Sequence, residues 1–284
     1  MRQLCNFLID IKNMLLKLKK IKPRTSAQRN LIKIKSQFIS KTPLLKHNIL
    51  GIKTSSGRNN TGKITIFQKG GGHKKRYRKI AFSRKRNGIE IITSIEYDPN
   101  RNSFIASSYN FMLKSYQYVL APKNLKVGDI IKSGLIAETK IGHSLPISKI
   151  PVGSLMHNIS NIHTQKAQIS RAAGTFSRLI EKTSKYGRIL LSSGKQQLVP
   201  IQCFATLGIV SNDYTFLTTR AKAGRSRWLN QRPTVRGVAM NPIDHPHGGG
   251  EGKTAGGRSS VTPWGKPTKG VKTSRSKNKL IIKK

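Results

Sequence analysis

Apolar residues recur along the middle of this chain with a two-residue period. The clearest stretch is "GIEIITSIEYDPN" (88–100), where Ile89, Ile91, Thr93, Ile95 and Tyr97 share one face and Glu90, Ser94 and Glu96 the other. That alternation predicts a half-buried strand with the isoleucine face inward, closed by "DPN" as a turn. "KITIF" (63–67) and "YQYVLAP" (116–122) alternate in the same way, and short strands fit 127–132, 187–192, 197–201 and 204–210, each bounded by Gly, Pro, Ser or Asn. Many short strands at this spacing predict a mainly β fold of small barrels rather than a parallel sheet. Two stretches read differently. Ile169, Ala173, Phe176 and Ile180 in 165–187 stand at helical spacing, with Gly174 interrupting them, and Leu4, Phe7, Leu8, Ile11, Leu15 and Leu18 would line one side of a helix over 1–20.

Outside these stretches periodicity disappears and charge takes over. The formal net charge is +44 on 284 residues. A compact body alone would repel itself at that charge, so a polyanion is part of the working state. No apolar run approaches membrane-spanning length, because Asp10, Lys12 and Lys17 interrupt the most apolar segment (5–18). Nucleic acid is therefore the expected partner, with no membrane. Between Asp10 and Glu90 there are 23 Lys and Arg and no acid, and after Glu251 ten basic residues run to Lys284 without one. The acids Glu90, Glu96, Asp98, Asp129, Glu138, Glu181 and Asp213 lie in the middle, the layout of a folded centre between two cationic arms. Residues 21–57 read as an arm that orders on its partner, and the tail beyond 220 holds too much Gly, Pro, Ser and Thr for a core. The segment 1–20 is either a basic extension or a mitochondrial presequence. Cys5 and Cys203 form no framework, which suits a reducing compartment and a structural thiol at Cys203.

The stretch "NPIDHPHGGGEGKTAGG" (241–257) looks like three kinds of site at once. A phosphate-binding loop ending in Gly252, Lys253 and Thr254 needs glycine at 247, where His247 stands, and needs a helix where "AGGRSSVTPWGKP" follows. A metal site on His245, His247, Asp244 and Glu251 lacks a cysteine or a further histidine nearby, since His143, His157 and His163 are distant. An acid–base site on the same residues needs a rigid pocket, which three adjacent glycines do not supply. The residues suit RNA better. Gly248, Gly249 and Gly250 let backbone approach phosphates and sugars, Pro242, Pro246, Pro263 and Pro267 hold an extended chain, His245, His247 and Trp264 offer flat faces, and Lys253, Arg258 and Lys266 neutralise phosphate. A second segment repeats the recipe: Gly70, Gly71 and Gly72 run into His73, Lys74, Lys75, Arg76, Tyr77 and Arg78.

Taken together, "GRNNTGKIT", "KGGGHKKRYRKI", "IEYDPNR", "LAPKNLKVGD", "IPVGSLMHNI", "KAGRSRW", "RPTVRGVAMNPIDHPHGGGEG" and "VTPWGKPTKG" resemble the L-two family of large-subunit ribosomal proteins, in register from about Gly57 to Gly270. The resemblance implies a basic extension over 1–57, an OB-like barrel over 58–125, an SH3-like barrel over 126–200 and an extended rRNA-binding region over 201–284. It adds Arg58, Asn59, Asn60, Lys63, Lys222, Arg225, Arg227, Trp228, Arg232, Arg236 and Asn241 to the rRNA-binding residues named above. It implies a structural role near the peptidyl transferase region, with tRNA placement and a bridge to the small subunit, and neighbouring ribosomal proteins as partners. It implies no enzyme activity, no homo-oligomer, no metal site and no cofactor beyond Mg2+ or K+ held by the rRNA. A part for the family's first motif histidine in peptide-bond formation would fall on His245, for which RNA packing is the favoured role.

The resemblance has gaps. "HTQKAQISRAAGT" (163–175) stands where the family is glycine-rich, "NDYTFLTTRAKAGR" (212–225) departs before rejoining at Ala223, and 1–20 has no clear counterpart. Ile outnumbers Val 32 to 9 and Lys outnumbers Arg 35 to 19, biases of AT-rich codons that point to a mitochondrial ribosome, with a plastid or bacterial one next. The competing reading of the charge is a free nucleic-acid chaperone bound only electrostatically.

Overall fold

Two of the three alternating stretches, 88–100 and 116–122, become strands. The computed structural model describes residues 18–35, 39–40, 42–160, 167–251, 254, 256–270 and 280–282. The helix expected over 1–20 lies outside them except for its last three residues, which form β1 (Leu18–Lys20). β1 pairs antiparallel with β2 (Ile32–Ile34), and β3 (Ile49–Gly51) with β4 (Arg76–Arg78). Then come β5 (Gly88–Glu96), β6 (Ile105–Asn110), β7 (Ser115–Leu120), β8 (Ile130–Ser133), β9 (Ser144–Pro146) and β10 (Leu155–His157). The short pair β11 (Ile159–Ser160) and β12 (Ala167–Ile169) precedes β13 (Ser177–Lys182), β14 (Tyr186–Leu191), β15 (Gln196–Pro200), β16 (Phe204–Leu207) and β17 (Ile281–Ile282). Eleven of these form one sheet in the order β17-β15-β14-β13-β10-β16-β9-β8-β5-β6-β7.

The chain is thus mainly β, and it divides into two compact units. One comprises Met1–Lys53, Lys74–Lys222 and Lys279–Lys284, and the other Thr54–His73 and Ala223–Asn278. Within the first, two β modules have separate cores. β5 to β8 enclose Ile92, Ala106, Val119, Ala121 and Ile131, while β9 to β16 enclose Leu145, Ile147, Ile150, Met156, Leu179, Ile189 and Leu207. A single parallel pairing, Ser133 with Ser144, joins β8 to β9. Among the described residues the hydrogen-bonded order is linear, and neither module is closed into a ring.

β5 forms where alternation places it, but its faces are reversed. Glu90, Ile92 and Glu96 are each 1% exposed, whereas Ile89 is 44% and Tyr97 57% exposed. The reason is partners. Glu90 lies 3.7 Å from Arg84 Nε and accepts the Ser108 hydroxyl at 2.9 Å. Glu96 accepts the Tyr118 hydroxyl at 2.9 Å and the Leu44 amide at 2.9 Å. A buried carboxylate is stable only when so satisfied. Tyr118, buried beside Glu96, has its hydroxyl pKa pushed up to about 12, chiefly by burial. Asp98, fully buried, accepts the Asn100 amide at 2.9 Å and Arg101 Nε at 2.6 Å, which builds the turn expected of "DPN".

Three other expectations fail. No helix forms over 165–187, of which 165 and 166 lie outside the described residues; β12, β13 and the start of β14 occupy it. Ser177 and Leu179 alternate inward, and Gly174 at φ +70° makes a turn whose missing Cβ would meet Asp213 Cα at 2.9 Å. Residues 63–67 form no strand beyond one bridge, Ile64 with Arg58, because no partner strand gives the alternation a buried face; Ile64, Ile66 and Phe67 are all more than half exposed. Finally, part of 21–57 is docked on the first module. Leu45 packs with Ile80, Ile105 and Tyr118, and its amide donates to the Tyr118 hydroxyl at 3.1 Å.

Candidate nucleic-acid interface

In the unit of Thr54–His73 and Ala223–Asn278, only Gly57 and His245 are buried among the described residues. It has no apolar core, yet Phe67, Trp228, Val235, Ile243 and Trp264 stand 57–93% exposed in it. Its shape is held by turns and backbone hydrogen bonds.

The first glycine triplet joins two segments. Gly70 donates its amide to the Asn230 carbonyl at 3.0 Å, His73 to Trp228 at 3.1 Å, and Arg232 returns a bond to Gln68 at 3.0 Å. Gly72 sits at φ +54°, and a Cβ there would stand 1.6 Å from Asn230 Oδ1 and 2.8 Å from Asn230 N. Trp228 closes the short helix α1 (Ala223–Trp228), with Arg225 and Arg227 in its last turn. Upstream, Asn59 Oδ1 accepts the Lys63 amide at 2.9 Å and the Thr61 hydroxyl at 2.8 Å, and Arg58 Nη1 donates to the Gly62 carbonyl at 3.0 Å. Asn59 therefore shapes this loop, and Arg58, Asn60 and Lys63 are exposed on it.

The second triplet does the same work. Gly248 donates to the His245 carbonyl at 2.8 Å and Gly249 to Met240 at 3.1 Å. A Cβ on Gly248 would lie 2.2 Å from the Asn241 carbonyl oxygen, and Gly250 stands at φ +99° against Thr254. Both triplets bring protein backbone against protein backbone. Gly71 is the exception in the first triplet: a Cβ there would meet nothing nearer than Ser56 Oγ at 3.5 Å.

The histidines are part of this fold. His245 is 7% exposed, and Gly237 makes room for its ring. His245 Nδ1 accepts the His247 amide at 3.0 Å, and His247 Nε2 accepts the Val261 amide at 3.1 Å. Each ring thus spends one lone pair on backbone. Among the described residues no group of His, Cys, Asp and Glu could hold a metal ion.

Most of the other cations named from the sequence are exposed. Arg227, Arg232, Arg236, Arg258 and Lys266 are exposed, as are His73, Lys74, Arg76 and Lys222; Lys75, Tyr77 and Arg225 are half-buried, and Lys253 lies outside the described residues. Arg78 differs from these: it is 8% exposed, with Nη1 at 4.0 Å from Asp98. The central carboxylates are engaged too: Glu138 with Lys132 and Lys140, Glu181 with Arg188, Asp213 with Lys123 at 2.7 Å, and Asp129 with the Lys126 amide at 2.7 Å. Lys132 and Lys140 pull the exposed Glu138 down to about 2. The seven acids of the folded centre are thus engaged by neighbours within it. Residues that sequence reading passed over as site residues are Phe67 and Lys69, which line a groove with Arg58 and Arg232. The signal was apolar "KITIF" set in a cationic run.

Residues 46–133 match the family model described as Ribosomal Proteins L2, RNA binding N-terminal domain, and residues 140–265 match Ribosomal Proteins L2, C-terminal domain. The chain belongs to the ribosomal protein L2 family. A large ribosomal subunit protein uL2 from Parvibaculum lavamentivorans is 46% identical over 274 residues, which span 94% of this chain and 96% of that protein. Proteins of the same name from Rickettsia peacockii and Rickettsia africae are each 49% identical over 270 residues, spanning 94% of this chain and 98% of theirs. The L2 N-terminal match takes in the first glycine triplet and the first β module. The L2 C-terminal match takes in the second module and the paired histidines.

Proposed function

We propose that this chain is a structural, non-catalytic constituent of the large ribosomal subunit. In this reading it binds large-subunit rRNA near the peptidyl transferase region, supports tRNA placement and contributes to a bridge with the small subunit. Neighbouring ribosomal proteins are its other partners, and any Mg2+ or K+ is held by the rRNA. One observation carries the reading: an L2-family unit with no core of its own keeps its aromatic and cationic side chains facing outward. Such a surface gains stability by stacking on bases and neutralising phosphates. The packed ring of His245 supports an architectural role for that residue. The Ile- and Lys-rich composition favours a mitochondrial ribosome.

Sedimentation of a gentle lysate at low and high monovalent salt, with and without RNase, tests this. The chain should stay with large subunits at high salt and leave after RNase. Release by salt alone would make it a loosely bound chaperone.

A further inference from the structure

The groove that holds Phe67 measures about 1110 Å3, ample for a nucleotide, and all its lining residues belong to the unit of Thr54–His73 and Ala223–Asn278. Its lining is of two kinds. Phe67 and Val235, 58% and 59% exposed, give apolar wall, with the flat face supplied by Phe67, which is braced by Trp264 at 6.3 Å between ring centroids. Arg58, Lys69 and Arg232 supply positive charge to the same groove. An apolar wall beside cations fits an occupant with a flat apolar body and an anionic backbone, as an unpaired nucleotide has.

A third kind of residue narrows the choice. Asp244 lines the groove, and among the described residues no hydrogen bond or ion pair engages its carboxylate. The seven acids of the folded centre are all engaged, whereas this carboxylate shares its groove with three cations and pairs with none of them. It repels phosphate and accepts N–H groups. Guanine presents adjacent N1–H and N2–H donors that match both oxygens of a carboxylate. Adenine and cytosine offer only an amino group, and uracil sets its single N–H between two carbonyl oxygens that a carboxylate repels.

We propose that this groove receives one unpaired guanine nucleotide of an RNA strand. The base lies against Phe67 and Val235, its Watson–Crick edge donates to Asp244, and the flanking phosphates meet Arg58, Lys69 and Arg232. The inference rests on the RNA-binding reading and adds base selection to it.

The test uses the full chain and four short single-stranded RNAs of uridines, each with G, A, C or U at one central position. Binding is read by fluorescence anisotropy at salt high enough to suppress diffuse attraction. The guanine strand should bind about tenfold more tightly than the all-uridine strand, as a good bidentate contact gives. Asp244→Asn should close that gap to within about twofold, and Phe67→Ala should weaken all four strands together. Equal affinity for the four strands, or a preference that survives Asp244→Asn, overturns the guanine site while leaving RNA binding intact. Failure to bind any of the strands at any salt sinks the RNA-binding reading and this one with it.

Discussion

The ring of His245 stacks on that of His247 at 5.2 Å and 24°, and its Nδ1 accepts the His247 amide at 3.0 Å. An accepting nitrogen must keep its lone pair, so neutral His245 carries its proton on Nε2. The same rule puts the His247 proton on Nδ1, since its Nε2 accepts the Val261 amide. The pair ties the second glycine turn to the chain fourteen residues on.

His245→Ala removes the stack and one acceptor, at a cost of about 1–3 kcal/mol to that turn. Quantitative mass spectrometry of gradient fractions should show several-fold less of the variant in large subunits. Ribosomes that do contain it should form peptide bonds at the ordinary rate. Normal incorporation with a rate loss of about 100-fold or more would instead make His245 a catalytic group.

Gly72 and Gly71 are neighbours with opposite tolerance. Gly72→Ala drives a Cβ into Asn230 at positive φ and should expose 68–73 and 228–232 to limited proteolysis, at roughly 2–4 kcal/mol. Gly71→Ala meets only an ordinary contact with Ser56 and should cleave like the parent protein. Equal protection of both variants would break the account of the triplet.

Glu96→Ala leaves the Tyr118 hydroxyl and the Leu44 amide without their acceptor. The loss should be about 2–4 kcal/mol. Hydrogen exchange at Leu44 and Leu45 should rise before that of β6, because Glu96 is the clasp that holds the 42–45 segment to the first module.

His157 sets a pH dependence. It is fully buried, its Nδ1 donates to the Gly208 carbonyl at 2.9 Å, and burial lowers its pKa to about 4. A histidine whose folded pKa lies below its unfolded value contributes stability above the unfolded pKa, near 6.5. That stability is lost as pH falls from there to about 4, up to about 3 kcal/mol. Burial lowers the pKa of His143 as well, with the same sign. Denaturation of the free chain between pH 7.5 and 4.5 should show the loss, and His157→Gln should flatten it.

Much of the strand layout was legible. Period-two alternation found β5 and β7, short runs bounded by turn residues found β8 and β14 to β16, and the "DPN" turn was readable because Asp98 hydrogen-bonds to its own neighbours. The facing of β5 was not. Its inward carboxylates are satisfied by Arg84, Ser108, Tyr118 and Leu44, none of which a window along the strand contains. The helical spacing at 169–180 misled for a related reason, since the turn at Gly174 is set by Asp213.

By itself the sequence determined the charge of +44, the acid-free arms, the need for a polyanion and the motifs of the L2 family. These are sums and local patterns, and they survive any arrangement of the chain. Only the tertiary structure decided that Glu90 and Glu96 turn inward, that Arg78 is buried beside Asp98, and that Gly72 clears space for Asn230 and Gly248 for Met240 and Asn241. It also brought Phe67, Arg232 and Asp244 to one groove. The physical reason is common to all of these: whether a polar atom is satisfied, or a missing Cβ is needed, depends on what distant segments place beside it.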